Sequence, residues 1–493
     1  MAKKVVRYKL VRHKWPDEIE AEKKVRKRRI LTVATCVVFF IGGFLSNYLW
    51  NSSTSVSSNE DFDKFFDIYH SMNTGFYFGK DIEDLKDTLI NGAIDGMIAA
   101  GGDKHTTYLD HNESERFTSS MEGSFVGIGV AYYEQDTGVY IISKVYKGSP
   151  AEEVGLMSGD QLYAVDGKLL SEVDIDGVKD LVAGKEGTTL ELEFIRNHEH
   201  IKKTIKRGTV NDSVFSEIKG KNGIMEISSI AETTGDEVGV HLKDMKKAGC
   251  KNLIIDFRDN GGGYLVAAQE VASYLLGEDQ VIFNEIDKNG NKTEYKTESG
   301  YEHYTFDKIV LIVNENTASA AEVLTAALKE QLNATVVGVN TYGKGTVQIP
   351  VTFKDGSMFK YTIAEWMSAK GAKINGVGIK PDVEVKLDPA ISLGMPKLEE
   401  DESFQPDTVN VAAKSVQSYL KFLGYPVDRS DEYFSVASSE ALKQYQQDHH
   451  LKVTGVIDAS VTKDLLSSVS YEWSMNKDKY DLQMKKAVEI ANG

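Results

Sequence analysis

Cysteine is nearly absent from this chain. Only Cys36 and Cys250 occur. The first lies in a long apolar run and the second precedes a short one, so no intrachain disulfide is expected and an exported body must be held by core packing alone. The short signatures of the commoner hydrolases are missing too: the sequence has no HExxH, no CxxC and no GxSxG, so no zincin, thiol-redox or nucleophile-elbow chemistry is signalled. The ten histidines are scattered without ligand spacing, and neither a metal nor any other cofactor is expected.

Basic charge is scarce beyond the first 29 residues. That head carries twelve Lys/Arg and four acids, a net +8, and leaves −25 for the rest of a chain whose total is −17. So acidic a body repels phosphate backbones, which excludes nucleic acid as a partner. Charge is then absent altogether from Ile30–Trp50. About 20 apolar residues cross a bilayer core, and the preceding Lys/Arg excess predicts a cytoplasmic N-terminus with the body outside. A cleaved signal peptide is the rival reading. The run is long for one, and Asn47–Ser53 lacks a small-x-small cleavage pattern.

Residues 51–59, NSSTSVSSN, read as a flexible tether. Apolar residues at helical spacing from Phe62 to Met97 predict a helical region over 60–118, suited to packing or to a homodimer contact. Over 123–207 short β-like runs (Phe125–Tyr133, Val139–Val145, Leu162–Val165, Thr189–Arg196) are punctuated by turn residues. From 208 to 390, apolar runs at Met225–Ile230, Leu253–Phe257, Ile309–Val313 and Thr335–Val339 alternate with helical patterns at Glu237–Lys247, Leu265–Leu276 and Ala320–Gln331, which implies an α/β core. A connector over 391–407 leads to a last segment, 408–470, and a tail, 471–493.

Three stretches have residues that can carry chemistry. In Val313-Asn-Glu-Asn-Thr-Ala-Ser319-Ala-Ala-Glu322 a strand gives way to small residues and a helix. Ser followed three residues later by Glu is a capping box, and capping alone explains Ser319. Its small neighbours equally leave the hydroxyl open, with helix-start amides such as that of Ala320 near a developing oxyanion. Lys344, between Gly343 and Gly345, is an ordinary loop lysine or, if desolvated, a base; strand alternation puts Gln348 on its face. Asp256-Phe-Arg-Asp-Asn-Gly261-Gly262-Gly263 is a tight turn or an anion-binding concavity of amides. Gly338–Lys344 imitates a phosphate loop, but Gly345 stands where Ser or Thr must follow and a strand, not a helix, comes next. Each plain role is favoured in isolation, and spacing alone does not join the three.

DFRDNGGGYL, NENTASAAE, TYGKGTVQ and GVGIKPDVEV, in this order, resemble the signature blocks of the C-terminal processing (tail-specific) serine peptidases. The resemblance implies Ser319 as nucleophile, Lys344, 25 residues on, as base, and Gln348, four further, as the residue orienting it. It implies oxyanion amides at Gly262 and Gly263 and beside Ser319 at Ala320. Residues 123–207 resemble the inserted PDZ domain of these enzymes, with Phe125-Val-Gly127-Ile128-Gly129-Val130 as the loop that takes a free C-terminal carboxylate. Residues 408–470 are similar to a helical peptidoglycan-binding repeat, with Tyr419, Tyr425 and Tyr445 as candidate glycan contacts. The fold expected is multidomain, α/β and α+β: a transmembrane helix, a helical region, a PDZ-like β-rich domain, an α/β peptidase core and a small C-terminal helical domain. Expected partners are protein substrates with free C-termini, one membrane, and peptidoglycan.

Three departures stand out. Relatives carry Pro where Gly261 stands; a YYTPSGR-like stretch appears here as Trp366-Met-Ser-Ala369-Lys-Gly-Ala372; and an expected Asp-Pro-Tyr appears as Asp103-Lys-His. The alternative to an enzyme is a non-catalytic scaffold in which PDZ and wall-binding modules tether partners around a relic core. Intact Ser319, Lys344 and Gln348 argue against it.

Overall fold

The structure, a computed structural model, describes residues 60–136, 138–157, 159–196, 199–396, 398–399 and 401–493. The basic head, the apolar span 30–50 and the tether lie outside them. Among the described residues no helix is long and apolar enough to cross a membrane. The chain divides into one unit up to Gly96 and another over Met97–Gly493. The described part of the first is helical, with α1 over Glu60–Gly75 and most of α2, Leu85–Gly101. Phe62, Phe66, Tyr77 and Phe78 of this unit are exposed.

The second unit opens with β1 (Thr107–Leu109) and α3 (His111–Glu122), the latter started by a capping box between Asp110 and Glu113. The PDZ region is entered through β2 (Ser124–Gly127) and left through β8 (Gly208–Asn211), and these two pair antiparallel as a stalk. Between them β3 (Val130–Asp136), β4 (Val139–Val145), β5 (Gln161–Val165), β6 (Thr189–Arg196) and β7 (Glu199–Lys206) form one sheet in that order, with α4 (Ile175–Val182) beside it. Tyr140, Leu162, Leu192 and Phe194 lie in its core. The run expected over Phe125–Tyr133 breaks at Ile128–Gly129, because Gly129 has φ +86 and turns the chain between sheets.

The core follows. β9 (Val214–Lys219), β10 (Asn222–Ile227), β11 (Asn252–Asp256), β14 (Lys308–Val313), β15 (Thr335–Gly338) and β18 (Val383–Glu384) make one six-stranded sheet, parallel except for β9. Helices α5 (Thr234–Lys247), α6 (Leu265–Leu276) and α7 (Ala320–Leu332) supply its apolar cover: Val238, Leu242, Ala268, Val271, Val323 and Leu324 share a core with Leu253, Ile255 and Leu311. A second sheet is built from β1, β12 (Val281–Asp287), β13 (Lys292–Lys296), β16 (Thr346–Thr352) and β17 (Met358–Ser368), the last pairing with β1, β12 and β16.

A strand buried on both faces reads as an unbroken apolar run, as Ile309–Val313 does. Something must therefore cover the far side of the first sheet. The C-terminal domain comes next, with α8 (Ala413–Phe422), α9 (Val436–Asp448) and α10 (Ala459–Met475) around Val416, Leu420, Phe434, Leu442 and Leu465. Residues 471–493, read from the sequence as a tail, then end in α11 (Leu482–Asn492), whose Ala487 and Ala491 are buried against Ile224, Ile254, Val310, Ile312 and Val337. The chain's last helix is the missing cover.

Candidate active site

β14 delivers four buried apolar residues, Val310–Val313, and then a loop stitched to the glycine turn beside it. Asn314 Oδ1 accepts the Asp259 N–H at 2.9 Å, Asn314 and Asn316 amides donate to Asp259 Oδ1 at 2.8 Å each, Thr317 Oγ1 donates to the Phe257 carbonyl at 2.8 Å, and the Ala318 N–H to the Asn260 carbonyl at 2.9 Å. The backbone of Ser319 then turns at φ 55, ψ −121, before α7 begins at Ala320. That region is sparsely populated for a residue with a Cβ and costs about 1–3 kcal/mol. Ordinary caps in this chain do not look so: Ser149 and Ser435 sit at φ −78 and −73 with extended ψ. Ser319 stands at the cap position without the cap's backbone.

The partner expected for a capping box does more than cap. Glu322 is fully buried, and its carboxylate accepts four hydrogen bonds: from Ser319 N–H at 2.9 Å, Thr341 Oγ1 at 2.5 Å, Gly343 N–H at 2.8 Å and Lys344 N–H at 2.8 Å. One carboxylate thus ties the Ser319 turn to the loop carrying Lys344. Gly343 adopts φ +84, and a Cβ there would lie 2.8 Å from Gly378 N, so the Gly-Val-Gly block packs directly on this loop.

Lys344 is half-buried, and its carbonyl accepts Trp366 Nε1–H at 3.0 Å. Burial pushes its amine below the ordinary lysine range, Lys360 of β17 pushes it further, and Glu322 and Asp103 pull the other way. Gln348 Nε2 donates to Thr346 Oγ1 at 2.5 Å and, at 3.4 Å, to Thr362 Oγ1, so its recorded bonds go to threonines rather than to the amine it was expected to orient. Thr346 Oγ1 also meets His105 Nδ1 at 2.9 Å. The Nε2 of His105 is buried and has no partner among the described residues, while burial and then Lys344 lower its basicity. Burial acts to raise Asp103, but hydrogen bonds from Thr362, Thr106 and the His105 backbone outweigh it and hold the carboxyl at about 2. The Asp103-Lys-His stretch, noted in the sequence only as a departure, therefore flanks the lysine.

On the other side lies the glycine turn. Gly262 has φ +95, and a Cβ there would stand 2.7 Å from Ser319 Cβ and 2.8 Å from Ala320 N, so only glycine allows this approach. Its N–H donates to Asn260 Oδ1 at 2.9 Å and is therefore not free to face a substrate; the buried Asn260 amide in turn donates to the Ile227 carbonyl at 2.8 Å. The N–H groups of Gly263 and Ala320 have no hydrogen-bond partner among the described residues. Of the three amides expected to serve an oxyanion, those two are without a recorded partner.

In the PDZ region Gly127 is taken up in the stalk opposite Gly208, and the buried Ile128 accepts the Ala151 N–H through its carbonyl at 2.8 Å. Val130 opens β3, which pairs with β4 and has no second strand partner among the described residues. A strand without a second partner can accept an added strand, although Tyr133 of β3 already meets α10, its ring 6.4 Å from that of Tyr471 and its hydroxyl 3.4 Å from Met475 Sδ. Of the tyrosines considered for glycan, Tyr419 and Tyr445 are 2% and 0% exposed and hydrogen-bond to the Leu393 carbonyl and to Asp464. They are core residues. Tyr425 is half-buried and donates to Asp448 at 3.0 Å.

Comparison with known proteins agrees with this layout. Residues 221–385 match the model of peptidase family S41, 141–196 that of the PDZ domain, and 410–465 that of a peptidoglycan binding domain. The carboxy-terminal processing protease CtpA of Bacillus subtilis is 35% identical over 460 residues, covering 93% of this chain and 95% of that one. CtpB of the same organism is 31% identical over 411 residues, 82% of this chain and 84% of that one. Among solved structures, the photosystem II D1 C-terminal processing protease aligns at 24% identity and a TM-score of 0.38, over 65% of this chain and 92% of that one.

Proposed function

Because the chain belongs to peptidase family S41, among the carboxy-terminal processing serine proteases, we propose that it is a membrane-anchored endopeptidase that captures protein C-termini on its PDZ domain and cleaves with a Ser319–Lys344 dyad. The observation that carries this is the Ser319 backbone, held at φ 55 and joined through buried Glu322 to the Lys344 loop. Strain of that kind persists only where the surroundings over-determine it, and it clusters at reacting groups. Desolvation and Lys360 favour the neutral amine that a base must be.

In the reaction, Lys344 Nζ takes the Ser319 hydroxyl proton as Oγ attacks the scissile carbonyl. The Ala320 and Gly263 N–H groups face the oxyanion. The C–N bond then breaks, the amine leaves with the proton from Lys344, and water admitted by the same base hydrolyses the acyl-enzyme. The lack of a second strand beside β3 among the described residues supports capture of an extended C-terminus. The +8 head and the uncharged span support an outward-facing body, the peptidoglycan-binding module would hold it near the wall, and the exposed Phe62 and Phe66 of the helical region suit a homodimer contact.

Ser319→Ala tests the chemistry. The variant is expected to fold, to bind a C-terminal peptide as wild type does, and to cleave at least ~10³-fold more slowly. Cleavage at the wild-type rate would remove Ser319 from the reaction and leave the scaffold reading standing. External protease on wall-stripped cells is expected to degrade residues 51–493 and spare the head; a protected body reverses the orientation.

A further inference from the structure

The start of the C-terminal helix meets the glycine turn at Arg258. Arg258 lies between β11 and that turn. Its guanidinium is forked onto two carboxylates: Nε and Nη2 reach Asp256 at 2.6–3.1 Å, and Nη1 and Nη2 reach Asp481 Oδ1 and Oδ2 at 2.9 and 2.8 Å. Gln483 Oε1 adds a longer bond to Nη1 at 3.2 Å. The three charged side chains are 8–13% exposed, so water contributes little. A planar fork gripped from two sides has one orientation available to it.

Asp481 is also bonded within its own helix start. It caps α11, accepting the Met484 N–H at 2.9 Å, while Gln483 Nε2 donates to the Val385 carbonyl at 2.8 Å. At the helix's far end Asn492 Oδ1 accepts from Asn222 Nδ2 at 3.1 Å, and Ala487 and Ala491 are buried in the sheet. Beside the ion pair the packing opens into a cavity of about 630 Å³, lined among others by Asp259, Asn314, Trp473 and Lys477. Contact at this spot therefore rests on the Arg258–Asp481 fork rather than on continuous apolar packing. From Arg258 the chain runs two residues to Asn260, whose side chain fixes Gly262, and on to Gly263.

We propose that Asp481 is a positioning residue of the peptidase site: from the cap of the C-terminal helix it holds Arg258, and through Arg258 it sets the turn that presents the Gly263 N–H to the oxyanion. The C-terminal helix is then a working part of the peptidase core, contributed from beyond the peptidoglycan-binding module. This rests on the peptidase reading above.

Asp481→Asn separates this role from plain capping, because Asn caps a helix as well as Asp does but lacks the charge. In the full-length enzyme, active sites are counted by the acylation burst of a peptide p-nitrophenyl ester. The kcat per site is expected to fall at least tenfold with KM within twofold, and a peptide boronic acid, which forms the tetrahedral adduct, should bind more weakly by a similar factor. Asp481→Glu should recover much of the loss. An unchanged kcat per site in Asp481→Asn overturns the proposal, even if fewer molecules are active. Should Asp481→Asn not fold, Gln483→Ala, which removes one bond to Arg258, is expected to lower kcat per site two- to fivefold at constant KM, and no change there overturns it equally. Amide exchange over 258–263 gives an activity-independent arm. It should be faster in Asp481→Asn made on the Ser319→Ala background, and an unchanged rate counts against the proposal. Wild type that forms no acyl-enzyme would sink the peptidase reading while this arm still reports on Asp481.

Discussion

Ser319 and Ser435 each stand immediately before a helix, and the two starts are built differently. Ser435 has the extended backbone of an ordinary cap, and its hydroxyl accepts the Ser438 N–H at 3.0 Å. At Ser319 the backbone is turned to φ 55, and the carboxylate of Glu322 accepts the N–H groups of Ser319, Gly343 and Lys344. In the first case the side chain serves the helix. In the second the helix, through Glu322, holds the side chain. Two serines at helix starts are thus told apart by what the backbone gives up, since strain is tolerated only where neighbours enforce it.

The comparison is most exposed to a change at Glu322. Glu322→Gln keeps the shape but turns one acceptor into a donor facing N–H groups of Ser319, Gly343 or Lys344. Activity is expected to fall on the order of 10²-fold or more, with roughly 1–3 kcal/mol lost from stability, read by peptide cleavage and urea unfolding. Ser435→Ala should cost about 1 kcal/mol and leave the cleavage rate untouched. If both variants lose stability alike and neither loses activity, the two helix starts are equivalent and Ser319 is a cap after all.

A smaller effect is expected from the charges around Lys344. Its amine must be neutral to accept a proton, and burial first, then Lys360, lowers its pKa. Cleavage should therefore rise with pH through a value below that of a free lysine. Lys360→Ala removes a like charge, which makes the Lys344 ammonium easier to keep and raises its pKa. The acid limb of the kcat/KM profile should move to higher pH. A profile that does not move, or moves to lower pH, breaks the link between the two lysines.

Much of this was legible in the sequence where one local signal decided the outcome. Leu265–Leu276 and Thr189–Arg196 form the elements their periodicity predicts, because apolar spacing and bounding turns agree there. The second sheet was not legible. Met358–Ser368 alternates with Lys360, Thr362 and Glu365 on half-buried positions, so no apolar run marks it, and it pairs with strands drawn from both sides of the helical core. For the site, the resemblance of its motif blocks to a known family marked Ser319 and Lys344, but not the carboxylate joining them, since Ser-x-x-Glu fits a capping box equally well. Gly262 was marked as an oxyanion amide, yet its N–H is spent on Asn260, a contact made within the turn that residue spacing does not encode. His105 and Asp481 reach the site region from about 240 residues before Lys344 and about 220 after Asp259, and no single-sequence pattern carries such contacts.

The smallest expected effect concerns Gly261, the residue before Gly262 and Gly263 in that turn. Gly262 is confined by contact with Ser319 and Ala320, but a Cβ at Gly261 would meet nothing within 4 Å, and Gly261 is not among the residues with positive φ. Its N–H has no hydrogen-bond partner among the described residues. Glycine is thus required at one position and merely tolerated at its neighbour, where the family's usual residue is proline. A proline restricts the unfolded chain without removing a native bond, so Gly261→Pro is expected to stabilise the protein by about 0.4–1 kcal/mol and to leave kcat within about twofold. Thermal unfolding and steady-state cleavage check both halves. A stabilised but inactive variant would mean that the turn must flex at Gly261 during the reaction. Gly262→Ala is the contrasting control: its side chain would push directly on Ser319, so it should lose activity whatever happens to stability.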